Sequence, residues 1–264
     1  MLFRSHISTG KKESKFGIDL LRAEEAFVNR LCYPNVEFVG LHVHIGSQIE
    51  SGAPFVHAFQ KVTRFIADLK KDGVNLKYLN IGGGLGVTYK NEKPQTAKAY
   101  AAKVAPLLKS TGLQVIMEPG RFISANSGIL AARVIYIKET DVKNFAIIDA
   151  AMNDLIRPSF YDAYHRMEPV SRKSKSKSVV YDVVGPVCES GDFLAQARKL
   201  PELNRGDLLA IFSAGAYGYV MSSNYNTRGR AAEVLVKGAS FTIVKKRELV
   251  KELLAGEVIP SYLK

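Results

Sequence analysis

The stretch FVGLHVHIG, residues 38–46, is a continuous apolar run apart from its two histidines, which predicts a buried β-strand. Two further apolar stretches follow, YLNIGGG at 78–84 and QVIMEPG at 114–120. Between the strands, apolar residues recur at spacings of three and four over residues 55–69, which predicts an amphipathic helix. A further helix is predicted around residues 100–108. This alternation predicts parallel strands that are joined by right-handed crossovers.

The parallel strands set the fold class of the first half of the chain. Strands this apolar are usually covered on both faces of the sheet. Three strands cannot close a (β/α)₈ barrel, which needs about 250 residues. The first half is therefore either the later part of such a barrel, with strands missing in front of residue 1, or a small open sheet. Because a helix is predicted over residues 18–31 and the sequence starts inside a structural pattern, we favour the truncated barrel.

After Arg121 the pattern changes to short β-type segments with turns between them. These segments are ILAARVIYIKE, FAIIDA, VVYDVVGP, LLAIFS, AEVLVKG and FTIVKK, and a helical ELVKELL follows near the end. The second half is therefore predicted to be an antiparallel β domain. The predicted fold class is α/β plus all-β, with residues 1–125 forming part of a TIM-like barrel and residues 126–264 forming a C-terminal β domain.

The composition is that of a soluble protein, with 264 residues, 47% hydrophobic and 23% charged. No apolar run approaches the ~20 residues that span a bilayer, and the N-terminus has no signal-peptide core, so we expect a cytoplasmic protein with no membrane partner. The net charge of +12 could indicate nucleic-acid binding. Much of that charge lies in SRKSKSKS at 171–178, namely Arg172, Lys173, Lys175 and Lys177. Because this run has no aromatic residue for base stacking, we favour a solvated, mobile loop and no nucleic-acid partner.

The two cysteines are too few for a disulfide framework or a zinc ribbon. Cys32 follows a predicted helix and is expected to be a small buried hydrophobe. Cys188 lies beside Glu189 in GPVCESGD. A thiol next to a carboxylate, between glycines, suits a proton donor on an exposed loop, and an inert cysteine is the alternative.

Polar and glycine residues end all three parallel strands. His42 and His44 lie on the same strand face, where they could bind zinc, form hydrogen bonds in a core, or present the ring of His44 to a flat ligand. Zinc has the weakest support because no further ligand follows at metal-motif spacing. The glycine triplet at 82–84 could let backbone N–H groups approach a phosphate, or could simply form a tight turn. It is not a dinucleotide fingerprint, since Val87 occupies the third glycine position, and no P-loop lysine follows.

The third strand ends in Glu118-Pro119-Gly120-Arg121. A carboxylate beside an arginine could form only an internal ion pair, but the C-terminal ends of barrel strands are where active sites lie. In the second half, Arg157 and Tyr161 lie four residues apart and could hold a carboxylate, or could be a surface arginine with a half-buried tyrosine. Tyr217 lies in a loop of small residues, SAGAYGY, where a phenol could reach a bound ligand or, as is usual for a single tyrosine, could be structural.

Taken together, the motifs resemble the diaminopimelate decarboxylase family, which has the alanine-racemase-like fold of a barrel plus a β domain and uses pyridoxal 5'-phosphate. The resembling stretches are LHVHIGSQI, LNIGGGLGVTY, MEPGRFI, MNDLIRPSFYDAYH, GPVCESGD and AGAYGYVMSSNYNTRGRAAEVLV. They cover nearly the whole chain from HISTG onward, and they are highly specific as a set. The glycine triplet alone is shared with ornithine and arginine decarboxylases of the same class.

The resemblance implies a cofactor site. The residues that would contact pyridoxal phosphate are His44, Ser47, Gly84, Glu118, Pro119, Gly120, Arg121 and Tyr217. His44 would stack on the pyridine ring, while Ser47, Gly84 and the backbone at 120–121 would hold the phosphate. Glu118 would face the ring nitrogen and keep it protonated.

The resemblance also implies a substrate site. The residues that would contact an amino-acid substrate are Arg121, Arg157, Tyr161, Glu189 and Tyr217. The two arginines and Tyr161 would bind the carboxylate that is remote from the reacting carbon, and Glu189 would meet the distal ammonium group. Cys188 would protonate the carbon that loses CO₂, and it would act with Glu189 across the interface of a homodimer. Cys188 and His44 are thus the expected catalytic residues of a carbon–carbon lyase that forms L-lysine from meso-2,6-diaminopimelate, the last step of lysine biosynthesis.

The sequence departs from the family at one point. The family's Schiff-base lysine lies on the first barrel strand in a Tyr-Ala-x-Lys-like context, and this sequence contains no such segment. We therefore expect weak or no activity from residues 1–264 alone. The alternatives are a related decarboxylase of ornithine- or arginine-type substrates and a non-catalytic homologue that acts as a binding or regulatory partner.

Overall fold

The structure is a computed structural model that describes residues 15–171 and 176–263. It divides into two compact units, Met1–Ile123 and Ser124–Lys264. Arg172, Lys173 and Lys175, on which most of the expectation of a mobile basic loop rests, lie outside the described residues. Among the described residues, no helix combines the length and the hydropathy needed to cross a membrane.

Unit 1 is a three-stranded parallel sheet with helices between its strands. Its elements are α1 (Leu20–Val28), β1 (Gly40–His42), α2 (Ala53–Lys71), β2 (Tyr78–Asn80), α3 (Ala97–Lys109) and β3 (Gln114–Ile116), followed by α4 (Gly120–Ser124). The strand order is β1-β2-β3, and both pairs are parallel. The alternation of strand and helix is therefore confirmed, although each strand is three residues long where longer strands were expected.

The core of unit 1 lies between the sheet and the helices α2 and α3. Phe55 and Phe59 of α2 are almost completely buried, as the helical spacing of the apolar residues predicts. They pack with Leu79 of β2 and with Tyr100 and Val104 of α3. Pro54 lies in the first turn of α2, where its missing N–H has no intrahelical partner to lose.

The expectation that all three strands are covered on both faces is wrong for β3. All three residues of β3 are exposed, and Val115, Ile116 and Met117 are 37–45% accessible. Within the described residues β3 is an edge strand, paired with β2 alone. The expected burial of Cys32 is also wrong, since this cysteine ends a short 3₁₀ turn, Arg30–Cys32, and is exposed.

Unit 2 is a six-stranded sheet with a separate two-stranded ribbon. The strands are β4 (Leu130–Glu139), β5 (Asn144–Ile148), β6 (Met167–Pro169), β7 (Ser178–Val184), β8 (Phe193–Pro201), β9 (Leu208–Ile211), β10 (Glu233–Lys237) and β11 (Ser240–Lys245), and the helices are α5 (Arg157–Tyr161) and α6 (Val250–Leu253). The sheet order is β6-β9-β4-β5-β7-β8, and its two end strands approach each other, so that the sheet is nearly closed. All of its pairs are antiparallel except β5 with β7.

The core of unit 2 forms inside this sheet. Val134, Ile148, Val183, Leu209 and Ile211 are completely buried within it. The predicted α/β plus all-β fold class is thus confirmed. The sequence interpretation missed β6 and β8. Strand β8 has the sequence FLAQARKLP, whose alanine, glutamine, arginine and lysine are poor strand formers, so only its pairing with β7 reveals it.

Candidate active site

In unit 1, three polar side chains converge at the C-terminal edge of the parallel sheet. His42 of β1 lies opposite Asn80 of β2 in register, and Glu118 follows two residues after the end of β3. The Nδ2 of Asn80 donates a hydrogen bond to Oε1 of Glu118 at 2.7 Å, and Nε2 of His42 lies 3.8 Å from the same oxygen. The Oδ1 of Asn80 in turn accepts the backbone N–H of Gly82 at 2.9 Å. Asn80 therefore fixes the carboxylate of Glu118 relative to the glycine triplet.

The His44 ring is held in one tautomer. Its Nδ1 accepts the backbone N–H of Gly83 at 3.3 Å, so the proton of the neutral ring lies on Nε2. Burial lowers the pKa of His44, and the neighbouring His42 lowers it further, while the Glu118 carboxylate opposes them. The imidazole is therefore a neutral, flat group at the edge of the sheet.

The glycine triplet is required by close packing. Gly82 and Gly84 have φ of +63° and +92°, in the region that favours glycine. A Cβ at Gly83 would collide with the carbonyl oxygen of Glu118, and one at Gly84 would collide with the carbonyl oxygen of Gly46. The triplet thus lets the loops after all three strands approach each other closely.

The loop after β1 is joined to the glycine loop by hydrogen bonds from Gln48 and Ile49, the two residues that follow Ser47. The side-chain amide of Gln48 donates to the carbonyl of Val87 at 2.6 Å and accepts the N–H of Val87 at 3.2 Å. The N–H of Ile49 donates to the carbonyl of Gly84 at 2.9 Å. These bonds bring the half-buried Ser47 beside the glycine loop.

The segment after β3 leaves open space at one position. A Cβ at Gly120 would meet no atom within 4 Å, and the N–H of Gly120 donates to the carbonyl of Glu118 at 2.8 Å. Pro119 packs against the glycine triplet, its Cα lying 3.7 Å from the position of a Cβ on Gly83. Arg121 is buried, with its guanidinium carbon 5.8 Å from the centre of the Tyr89 ring.

In unit 2, Arg157 and Tyr161 are the first and last residues of α5. Residues four apart on a helix share one face, as the sequence predicts. Arg157 is buried rather than exposed, and its NH1 lies 2.9 Å from Nε2 of His165. Tyr161 is half-buried and meets the ring of Phe160 edge-on at 4.7 Å.

Cys188 and Glu189 lie in the exposed turn between β7 and β8. The turn is anchored by the buried carboxylate of Asp192, which accepts the backbone N–H groups of Met152 and Val187 at 2.7 Å each. Oε2 of Glu189 accepts a hydrogen bond from the phenol of Tyr225 at 3.1 Å, and this bond raises the pKa of Tyr225.

Tyr217 lies in the loop after β9 and is 41% exposed. Its φ of +57° is uncommon for a residue with a bulky side chain, and such conformations cluster at ligand sites. The small residues around it are required by packing, since a Cβ at Gly218 would collide with the carbonyl oxygen of Ala214.

The structure adds residues that the sequence interpretation did not single out. Asn80, His165, Asp192 and Tyr225 each hold a predicted site residue or its loop in place. A short-range signal exists for Asn80 alone, because it lies two residues before Gly82 and can form a local side-chain-to-backbone bond. Within residues 15–171 and 176–263, no group of three or more histidine, cysteine or acidic side chains could hold a metal ion.

Comparison with known proteins agrees with the resemblance found in the sequence. The family model described as pyridoxal-dependent decarboxylase, C-terminal sheet domain, matches residues 20–215. The diaminopimelate decarboxylase of Pseudomonas fluorescens is 49% identical over 252 residues, which are 96% of this chain and 60% of the relative. That of Aquifex aeolicus is 48% identical over 244 residues, which are 92% of this chain and 58% of the relative.

Solved structures give the same result. The diaminopimelate decarboxylase of Helicobacter pylori, complexed with L-lysine, has a TM-score of 0.87 and 40% identity, and the match covers 94% of this chain and 62% of that one. The chain spans about three fifths of the length of the curated relatives that it matches. Because the family model matches well over half of the residues, the chain belongs to the pyridoxal-dependent decarboxylase family.

Proposed function

We propose that the protein carrying this chain is a pyridoxal phosphate-dependent diaminopimelate decarboxylase, which converts meso-2,6-diaminopimelate to L-lysine and CO₂. The observation that carries the proposal is the 49% identity to the Pseudomonas fluorescens enzyme over 96% of this chain. The solved diaminopimelate decarboxylases of Helicobacter pylori and m. jannaschii, each in complex with L-lysine, support lysine as the product. We further propose that the protein is cytoplasmic.

The residues of unit 1 fit pyridoxal phosphate. The neutral, flat ring of His44 suits stacking on a pyridine ring, and the carboxylate of Glu118 suits a protonated ring nitrogen. The open space beyond Gly120 leaves room for a phosphate next to the backbone at 120–121, with Ser47 and Gly84 as further contacts. When bound, the cofactor supplies an electron sink for the bond that breaks.

The other roles belong to side chains of the chain itself. The carboxylate of Glu118 keeps the ring nitrogen of the cofactor protonated, and the hydrogen bond from Asn80 fixes the position of that carboxylate. Arg121, Arg157 and Tyr161 bind the remote carboxylate of the substrate, which leaves the D-configured centre to react. As part of a barrel, residues 1–125 carry Arg121 and all the cofactor residues except Tyr217. The β domain of 126–264 carries Tyr217 together with the other substrate and proton-donor residues.

The exposed turn of unit 2 carries the proton donor. The thiol of Cys188 delivers a proton to the carbon from which CO₂ has left, and Glu189 binds the distal ammonium group. Tyr217 contacts both cofactor and substrate. We propose a homodimer in which Cys188 and Glu189 act on the partner subunit's bound substrate, and the exposure of both residues supports this.

The test is to purify the protein as its source makes it and to follow lysine and CO₂ release from meso-diaminopimelate, with ornithine and arginine as competing substrates. Cys188→Ala should slow turnover at least a hundredfold, because general acid catalysis contributes roughly 10²–10⁴-fold. Cys32→Ala is the matched control, since it removes the other exposed thiol. A preference for ornithine or arginine would favour the second candidate, which the 26% identical lysine/ornithine decarboxylase of Vibrio vulnificus suggests.

The same assay addresses a non-catalytic role. If the purified protein binds pyridoxal phosphate but turns over no substrate, and Cys188→Ala changes nothing, the proposal fails and a binding or regulatory partner is favoured. Residues 1–264 expressed alone are expected to have weak or no activity. Turnover of ~1 s⁻¹ or more by that chain would contradict this expectation.

A further inference from the structure

We propose that His165 is the positioning residue for Arg157 and orients its guanidinium toward a carboxylate of the substrate. The inference rests on the proposed function, because it assigns Arg157 to carboxylate binding. It goes beyond that function by naming a residue that touches neither substrate nor cofactor. His165, Arg157 and the residues that contact them in this arrangement all lie within unit 2.

The two side chains meet in the interior. Arg157 is 3% exposed, and His165 is 0% exposed. The NH1 of Arg157 lies 2.9 Å from Nε2 of His165, and Nδ1 of His165 lies 2.9 Å from the carbonyl oxygen of Phe212. Both distances are those of good hydrogen bonds.

The chemistry of the pair fixes the direction of both bonds. A guanidinium has only donors, so Nε2 of His165 must accept and must carry no proton. Nδ1 therefore carries the proton and donates it to the carbonyl of Phe212. The neutral ring therefore bridges the backbone just after β9 and Arg157, the first residue of α5.

A neutral acceptor leaves the positive charge of the Arg157 guanidinium uncompensated, whereas a carboxylate would neutralise it. An aspartate at position 165 would fix the guanidinium but would also neutralise its charge. The imidazole contact fixes one arm of the planar fork and adds no negative charge beside it. Because carboxylate recognition by arginine depends on the direction of the fork as well as on its charge, this contact suits a substrate-binding arginine.

His165 is itself held firmly. Its carbonyl oxygen accepts NH1 of Arg198 at 2.6 Å. The backbone N–H of Phe212 donates to the carbonyl of Arg166 at 2.8 Å, which extends the antiparallel pairing of β6 with β9 past Met167. The ring of His165 thus starts from backbone that is fixed on two sides, as a positioning residue requires.

The experiment uses two ligands that differ by one carboxylate. L-lysine and cadaverine are bound in solved relatives, and cadaverine is lysine without its carboxyl group. Calorimetry on the protein purified from its source, loaded with pyridoxal phosphate, would give the ratio of the two affinities. That ratio isolates carboxylate recognition from ammonium recognition.

Two variants of His165 separate positioning from structure. His165→Gln places an oxygen near the position of Nε2 and can still accept from Arg157. His165→Asn places an amide N–H near the position of Nδ1 and can still donate to Phe212, but it does not reach Arg157. We expect His165→Asn to lower the lysine-to-cadaverine ratio about tenfold or more, the size typical of a bond to a charged group, and His165→Gln to keep it within about threefold.

The outcomes are distinct. Equal ratios for His165→Gln and His165→Asn, whether lowered or not, would overturn the inference while leaving the proposed function intact. A wild-type protein that binds lysine no better than cadaverine would overturn both. Where His165→Asn is too unstable to purify, Arg157→Lys decides the matter, since it keeps the charge but loses the fork, and retention of the wild-type ratio would contradict positioning.

Discussion

The close approach of Gly82 to His44 can be tested by adding one methyl group. Gly82 has φ of +63°, and its Cβ in Gly82→Ala would lie 2.7 Å from Nδ1 of His44 and 2.9 Å from the carbonyl oxygen of Val43. Ordinary contacts of a Cβ begin at 3.4 Å, so both neighbours must move by about 0.5 Å or more. The left-handed backbone costs about 1–2 kcal/mol for a residue with a Cβ, and overpacking costs about 1–3 kcal/mol.

We therefore expect Gly82→Ala to lower the free energy of unfolding by about 3 kcal/mol. Gly112→Ala is the matched control. Gly112 lies in the same unit, has φ of +70°, and a Cβ there would meet no atom within 4 Å. It should lose only the backbone contribution of about 1 kcal/mol.

The assay is chemical unfolding of both variants, with the imidazole signals of His44 followed by NMR. Only Gly82→Ala should shift those signals, because the new methyl group displaces the ring from the N–H of Gly83. If Gly82→Ala costs no more stability than Gly112→Ala, the ring does not lie against the triplet, and the account of the site in unit 1 is wrong.

Single substitutions elsewhere should change stability, cofactor binding or a pKa. Asp192→Ala removes two charge-assisted bonds to backbone N–H groups, so unfolding experiments should show a loss of about 3 kcal/mol, with Asp192→Asn intermediate. Gly120→Ala should leave stability nearly unchanged but weaken binding of pyridoxal phosphate in a fluorescence titration, and unchanged binding would argue against a phosphate beside this residue. Burial holds the pKa of His44 below its usual 6.5. The free energy of unfolding should therefore contain a contribution from this residue that is present above pH ~6.5 and is lost as the pH falls toward the folded pKa. His44→Asn should abolish this pH dependence. In Glu189→Gln the raised pKa of Tyr225 should fall toward its ordinary value in an ultraviolet difference titration, whereas no change would mean that the phenol does not donate to this carboxylate.

Features that depend on neighbouring residues could be predicted from the sequence. The helix over residues 55–69 was predicted because Phe55 and Phe59 repeat with the helical period, and both are buried. The turn that carries Cys188 was predicted to be exposed because glycines and polar residues surround it, and it is exposed. The family resemblance likewise depended on linear motifs, which can be recognised without knowledge of the fold.

Contacts between distant residues could not be predicted in this way. Asn80 and Glu118 are 38 residues apart, and only the parallel register of β2 with β3 places their side chains within 2.7 Å. Strand β8 was missed because its composition is helix-like, and pairing with β7 overrides that preference. The exposure of Cys32 has the same origin, since burial depends on what packs against a residue rather than on its own polarity.

Sequence alone determined the family, the alternation of strands and helices in unit 1, and the identity of the chemical groups at the strand ends. These are local properties, because hydrophobic period and motif spacing are set by residues close together in the chain. Tertiary structure alone decided the tautomer of His44, the hydrogen bond that holds Glu118, and the burial of Arg157 against His165. Each of these depends on a hydrogen bond between separate elements, and its geometry exists only once the sheets have formed.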